Sequence, residues 1–64
     1  MKNKLSKTWT IEYRKSVTEM WVENDFKSIF IANCDSTVPK DKRKINLEIA
    51  IRICDKLNEA NPYD

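Results

Sequence analysis

The hydrophobic pattern along this chain changes period once. Over residues 8–14, Trp9, Ile11 and Tyr13 alternate with Thr8, Thr10, Glu12 and Arg14, the period of two expected of a strand with one buried face. A polar connection, residues 15–18, precedes EMWVE at residues 19–23, which puts Met20 and Val22 on one side and Trp21 on the other. Ser16, Val17, Thr18 and Glu19 match a helical capping box, but the β-branched and aromatic content that follows predicts a strand. Asn24 and Asp25 mark a turn, since both tolerate positive φ in a chain with no glycine. Residues 26–33 (FKSIFIAN) predict a third strand, apolar on both faces. The loop over residues 35–40 is polar, and Val38 is held extended by Pro39.

Beyond that loop the period becomes helical. Ile45, Ile49, Ile53 and Leu57 step by four residues, with Ala50 and Ala60 on the adjoining flank. They share an arc of about 140°, the width of a core-facing stripe, so residues 41–60 are predicted as a helix with this stripe toward the sheet. Asp41 is the expected N-cap, and Asn61-Pro62 the expected stop. Leu47, Ile51 and Cys54 fall outside the stripe and make the helix apolar over more than half its girth. Lys44, Glu48, Arg52, Asp55 and Glu59 are left to form the wet face.

These elements predict a single α+β domain over residues 1–64: a three-stranded antiparallel meander (8–14, 19–23, 26–33), then one C-terminal helix (41–60), with residues 1–6 a flexible basic arm. A meander has one face for the helix to cover. Apolar residues then remain on the far sheet face (Trp21, Ile29 or Ile31) and on the helix (Leu47, Ile51, Cys54). A surplus of this kind calls for a second copy or a partner, so a homodimer is expected, with those six residues at its interface.

Composition narrows the function classes. The chain is 41% hydrophobic and 34% charged, too apolar for a disordered segment. It has no run near the roughly 20 apolar residues that cross a bilayer, and nothing apolar follows its basic start, so a cytoplasmic protein without membrane contact is expected. Cys34 and Cys54 are expected to be reduced and packed. With no histidine and only two thiols, the usual nucleophile–base pairs and a zinc site lack their residues. With no glycine there is no phosphate-cradling loop. Asp55 and Glu59, one turn apart, read as a solvated helix face. No catalytic residue, metal or cofactor is expected, and the protein is not expected to be an enzyme.

Two binding chemistries remain. Lys40, Lys42, Arg43 and Lys44 cluster at the predicted helix start, where free backbone amides also favour anions. Asp41 interrupts that cluster, and the net charge is only +2, so a nucleic-acid-binding regulator is the second expectation. Protein binding comes first, from the wide apolar helix, two tryptophans and two-faced strands.

The arrangement also resembles short proteins of bacterial viruses and prophages. These start with a Trp-containing strand, run through a hairpin ending in a strand like FIAN here, and finish on a helix that opens with an Asn and apolar residues, like INLEIAIRI at residues 45–53. The resemblance covers about residues 8–57, though this chain lacks their hairpin glycine and their helix proline. It implies a phage accessory protein, of a kind of which several inhibit bacterial immunity by binding a defence protein, and it carries over no functional residue. The expected function is a non-catalytic inhibitor or modulator of a host protein.

Overall fold

The computed structural model describes residues 5–60. Three antiparallel strands, β1 (Thr10–Arg14), β2 (Glu19–Glu23) and β3 (Ser28–Asn33), form a sheet in the order β1-β2-β3, and one helix, α1 (Lys40–Ala60), follows. The α+β meander-then-helix order is the one the periodicity predicts. The predicted helix stop at Asn61-Pro62, and Met1 to Lys4 of the predicted arm, lie outside the described residues. Ser6 is not part of a free arm. Its amide donates to Asp25 Oδ2 at 2.7 Å and its carbonyl accepts from the Asp25 amide at 3.2 Å.

Register settles the faces of the sheet. Ile11 pairs with Val22 and Tyr13 with Met20, while Glu12 pairs with Trp21 and Trp21 with Phe30. Directly paired residues share a face, so β2 sends Met20 and Val22 toward the helix and Trp21 away from it. A register shift at Met20/Trp21 leaves Ile31 without a partner between Phe30 and Ala32, a bulge in β3. The core is small. Trp9, Met20, Val22 and Ala50 are buried, and Ile11, Ile31, Cys34, Ile53, Cys54 and Leu57 pack around them.

The two hairpin connections use different devices. In residues 24–27, Asn24 Oδ1 accepts from the amides of Phe26 (2.7 Å) and Lys27 (2.8 Å), and the Asn24 amide donates to the Lys27 carbonyl at 2.9 Å. The turn sits where Asn24-Asp25 predicts it, but it works by side-chain bonding and not by positive φ, and it delays β3 to Ser28. Positive φ occurs instead at Lys15 (51°), Ser16 (57°) and Val17 (61°), a left-handed turn costing roughly 1–2 kcal/mol per residue. Neighbours hold it. The Thr18 amide donates to Arg14 and Lys15 carbonyls, Thr18 Oγ1 donates to the Lys15 carbonyl at 2.7 Å, and Cys34 bonds Val17 and Thr18 from the end of β3.

The helix lies rotated from its predicted orientation. Ile45 is 50% exposed and Ile49 44%, so the first half of the isoleucine ladder faces away from the sheet, and Ala60 is exposed too. The docked face runs instead through Ala50, Ile53, Cys54 and Leu57, with Arg43, Asn46 and Asn58 half-buried beside them. Ala50 is fully buried, because a side chain of one methyl lets the helix backbone approach β2 closely. Asn58 fixes the rotation. Its Oδ1 accepts from the Trp9 amide at 2.8 Å and its Nδ2 donates to the Trp9 carbonyl at 3.1 Å, while the Cys54 thiol donates to that same carbonyl at 3.0 Å. Asn58 thus bonds Trp9 as a neighbouring strand would, and β1 begins only at Thr10. At the other end α1 starts at Lys40, with the Pro39 carbonyl accepting from the Arg43 amide at 3.0 Å. Asp41 therefore lies inside the first turn, where its charge favours the dipole, and is not the N-cap.

Asn58→Ala should destabilise the fold by roughly 1–3 kcal/mol, because it strips partners from a part-buried peptide. Ile49→Ala should cost less than about 1 kcal/mol, as exposed substitutions do. Urea unfolding of both variants at one low protein concentration ranks them, and the reverse order would restore the Ile45–Ile49 stripe to the core.

Candidate functional site

The outer face of the sheet carries an ordered group of side chains that the core does not use. The Arg14 guanidinium lies 4.1 Å from the centre of the Trp21 ring, and Phe30 meets that ring edge-on at 5.4 Å and 73°. Arg14 Nη2 also donates to Glu23 Oε1 at 2.5 Å and Ser28 Oγ at 2.9 Å, and Trp21 Nε1 donates to Glu19 Oε1 at 3.1 Å. One arginine, drawn diagonally across a tryptophan, thereby ties β1 to β2 and β3. As structural contacts these are worth about 0.5–1.5 kcal/mol for the ring pair and about 0.5–1 kcal/mol for the cation over the ring. Phe30 nevertheless remains 47% exposed. Three carboxylates, Glu12, Glu19 and Glu23, lie in register beside Trp21, Arg14 and Ser28, Glu19 also paired with Lys15 at 3.7 Å, so the rim is acidic by one charge.

The basic cluster is split. Lys40, Lys42 and Lys44 are exposed; at about 100° per residue Lys40 and Lys44 share one side of the helix, while Lys42 points some 160° from Lys40. Arg43 turns under the helix, where its Nε is enclosed without a hydrogen-bond acceptor. It borders a groove of about 410 Å³ shared by Tyr13, Val17, Cys34, Lys44 and Leu47. Asp35 lies nearby, and its carboxyl is held below the usual range, first by the Thr37 hydroxyl and amide and, more weakly, by the Arg43 charge against a small desolvation effect. These bonds staple the loop that leads into α1.

Of the six residues expected at an interface, three lie at the surface away from the core. Trp21 is on the outer sheet face, and Leu47 and Ile51 are exposed on the helix. Ile29 is exposed as well but pairs with Val22, on the helix side of the sheet. Ile31 and Cys54 pack against the core, Ile31 because alternation from Ile29 puts it on the helix side and Cys54 because the helix is rotated toward Trp9. The far-face partner of Trp21 is Phe30, which the unbroken strand pattern disguised. Arg14, the residue that organises this face, reads in sequence as an ordinary strand-end charge. Alternation alone placed it beside Trp21's face but gave no sign of the diagonal contact.

Both cysteines are free thiols, and among the described residues no group of three or more His, Cys, Asp or Glu could hold a metal ion. No described helix is long and apolar enough to cross a membrane. Comparison with protein families, characterised proteins and solved structures finds no match to this chain.

Burial pushes the Cys54 thiol above its ordinary pKa, Asp55 adds to the rise, and the Asn58 amide opposes it. A raised value favours the protonated form in the fold, so the stability it brings is complete below the ordinary thiol pKa and lost as pH rises through the raised one. Iodoacetamide should therefore label Cys54 more slowly in the folded protein than in urea at pH 8, with mass spectrometry locating the label. Equal rates in the two conditions would contradict the buried placement.

Proposed function

We propose that this chain is a non-catalytic protein-binding module whose outer sheet face, centred on Trp21 and Phe30, docks a partner protein. The observation that carries the reading is the Arg14–Trp21–Phe30 group. Tryptophan and arginine are the residue types most enriched among binding hot spots. Here they are held in place before any partner arrives, which lowers the ordering entropy lost on association. The acidic rim of Glu12, Glu19 and Glu23 favours a partner with basic residues around an apolar centre and disfavours a phosphate backbone. Following the resemblance to phage accessory proteins, the partner is a host protein, a defence protein foremost, which the module inhibits or modulates.

The second reading, a nucleic-acid-binding regulator using Lys40, Lys42, Arg43 and Lys44, has weaker support. Lys40 and Lys44 share one side of the helix, but Lys42 points away from them and Arg43 is turned inward, which leaves two lysines and no continuous strip for a phosphate backbone.

The test is an affinity capture from bacterial lysate, with and without nuclease, of three proteins: wild type, Phe30→Ser, and a variant with all four basic residues changed to Ala. A stoichiometric protein that survives nuclease, is retained by the quadruple variant and falls at least tenfold with Phe30→Ser supports docking on the sheet face. Capture that is lost with nuclease and with the quadruple variant, but not with Phe30→Ser, transfers the function to the basic cluster.

A further inference from the structure

The two edges of the sheet are built differently. The β1 edge is short, carries Glu12 and Arg14, and has Trp9 just before it engaged by Asn58 and Cys54. Charges and a covering element are the usual protections of an edge strand. Among the described residues the β3 edge has neither. From Ser28 to Cys34 there is no charged residue, β3 has β2 on one side only, and Ile29 is 39% exposed. The bulge at Ile31 twists the second half of β3, which leaves Ser28, Ile29 and Phe30 as the regular stretch.

The exposed helix isoleucines lie on this same side. Cys54 and Asn58 bond Trp9 at the β1 side, and Ile49 stands about 140° and 180° round the helix from them. Ile45 and Ile49 therefore flank β3. A strand edge with free backbone groups, and beside it a ridge of Ile29, Ile45 and Ile49, is complementary to a copy of itself turned through a two-fold axis, because antiparallel pairing of identical strands is isologous.

We infer that two copies of this chain associate through β3, pairing Ser28–Phe30 edge to edge into a continuous six-stranded sheet, with both helices on one face and their Ile45–Ile49 flanks turned toward each other. Ile29, Ile45 and Ile49, each between 39% and 50% exposed, together with the paired backbone make a small interface, of the weak and transient class below about 1,200 Å². Phe30 lends its backbone to this pairing and its side chain to the outer face, so the two proposals share a strand but not a surface, and Ile49→Lys on the helix tests the dimer apart from the docking function. The dimer also explains why Ile45 and Ile49 face away from their own sheet.

The charges on that flank give the dimer a distinctive salt response. Lys42 and Lys56 lie seven residues either side of Ile49. Antiparallel helices crossing there bring Lys42 toward the partner's Lys56, and Lys56 is only loosely matched by Glu59 at 3.9 Å. Screening this repulsion strengthens the dimer, whereas association through a bound polyanion weakens as salt rises.

Sedimentation equilibrium of the nuclease-treated full chain, from about 1 to 200 µM at 0.1 and 1 M NaCl, tests the inference. The expected result is a monomer–dimer equilibrium that tightens in high salt. Ile29→Lys, which sets a charge on the bare edge, and Ile49→Lys, which sets one on the helix flank, should each raise the dimer dissociation constant at least tenfold. Glu12→Lys on the opposite edge should leave it unchanged, and circular dichroism checks that every variant keeps the fold. A monomer across the whole range, open-ended oligomers, or a dimer indifferent to both Ile29→Lys and Ile49→Lys overturns the inference.

Discussion

The structure depends on how one side chain grips one peptide unit. Asn58 offers its carbonyl to the Trp9 amide and its amide to the Trp9 carbonyl, forty-nine residues apart in sequence. A helix laid on a three-stranded sheet can slide and rotate at modest cost when it is apolar over most of its circumference, as α1 is. Hydrophobic burial is non-directional and does not choose among such rotations. A reciprocal pair of hydrogen bonds does, and the Cys54 thiol on the same carbonyl strengthens the choice. With four buried residues in the core among those described, directional contacts carry an unusual share of the fold's specificity. The side chain of Trp9 fills the core while its backbone anchors the helix, so one residue couples both layers.

Periodicity along the chain does not encode this grip. The elements were legible because period two and period four are strong signals: EMWVE placed β2 with the boundaries it has, and the helix began one residue from its expected start. The orientation of α1 was not legible. The isoleucine ladder is the most apolar stripe, and choosing it put Ile45 and Ile49 inside. The actual face is read from Ala50, the small residue at closest approach, and from Asn58, which looks like solvent-facing amide until its long-range partner is known. The bulge at Ile31 was equally hidden, since an extra residue in one strand leaves no mark on composition. The Trp21–Phe30 pair, which lies on the turn side of the bulge, was hidden for another reason: β3 is apolar on both faces, so alternation gives no reason to prefer Phe30 over Ile29 or Ile31 as the outward residue. The left-handed turn at residues 15–17 had no sequence signal at all. Lysine, serine and valine are not turn-forming choices for positive φ, and what holds them there is Thr18, bonded back to Arg14 and Lys15, and Cys34, just past the end of β3.

The sheet divides its labour by face. One side, through Met20 and Val22, makes the fold. The other bears aromatic and charged groups locked to one another, with their outer surfaces in water. A chain this short has little apolar material to spare, and placing a tryptophan and a phenylalanine where they do not contribute to the core is what draws attention to that side. The basic residues at the start of α1 contrast with it. Lys40 and Lys44 share a direction, but Lys42 and Arg43 leave it, so proximity in sequence overstates the cluster.

The opposed placement of Trp9 and Trp21 makes the protein its own two-channel reporter. The indole of Trp9 is shielded by the core, whereas that of Trp21 is half-exposed under a guanidinium. Emission from the first follows the integrity of the helix–sheet contact, and emission from the second follows events at the outer face. A soluble quencher that reaches only the exposed ring would separate the two signals without any label. Loss of folding and occupation of the surface would then be distinguishable in a single cuvette.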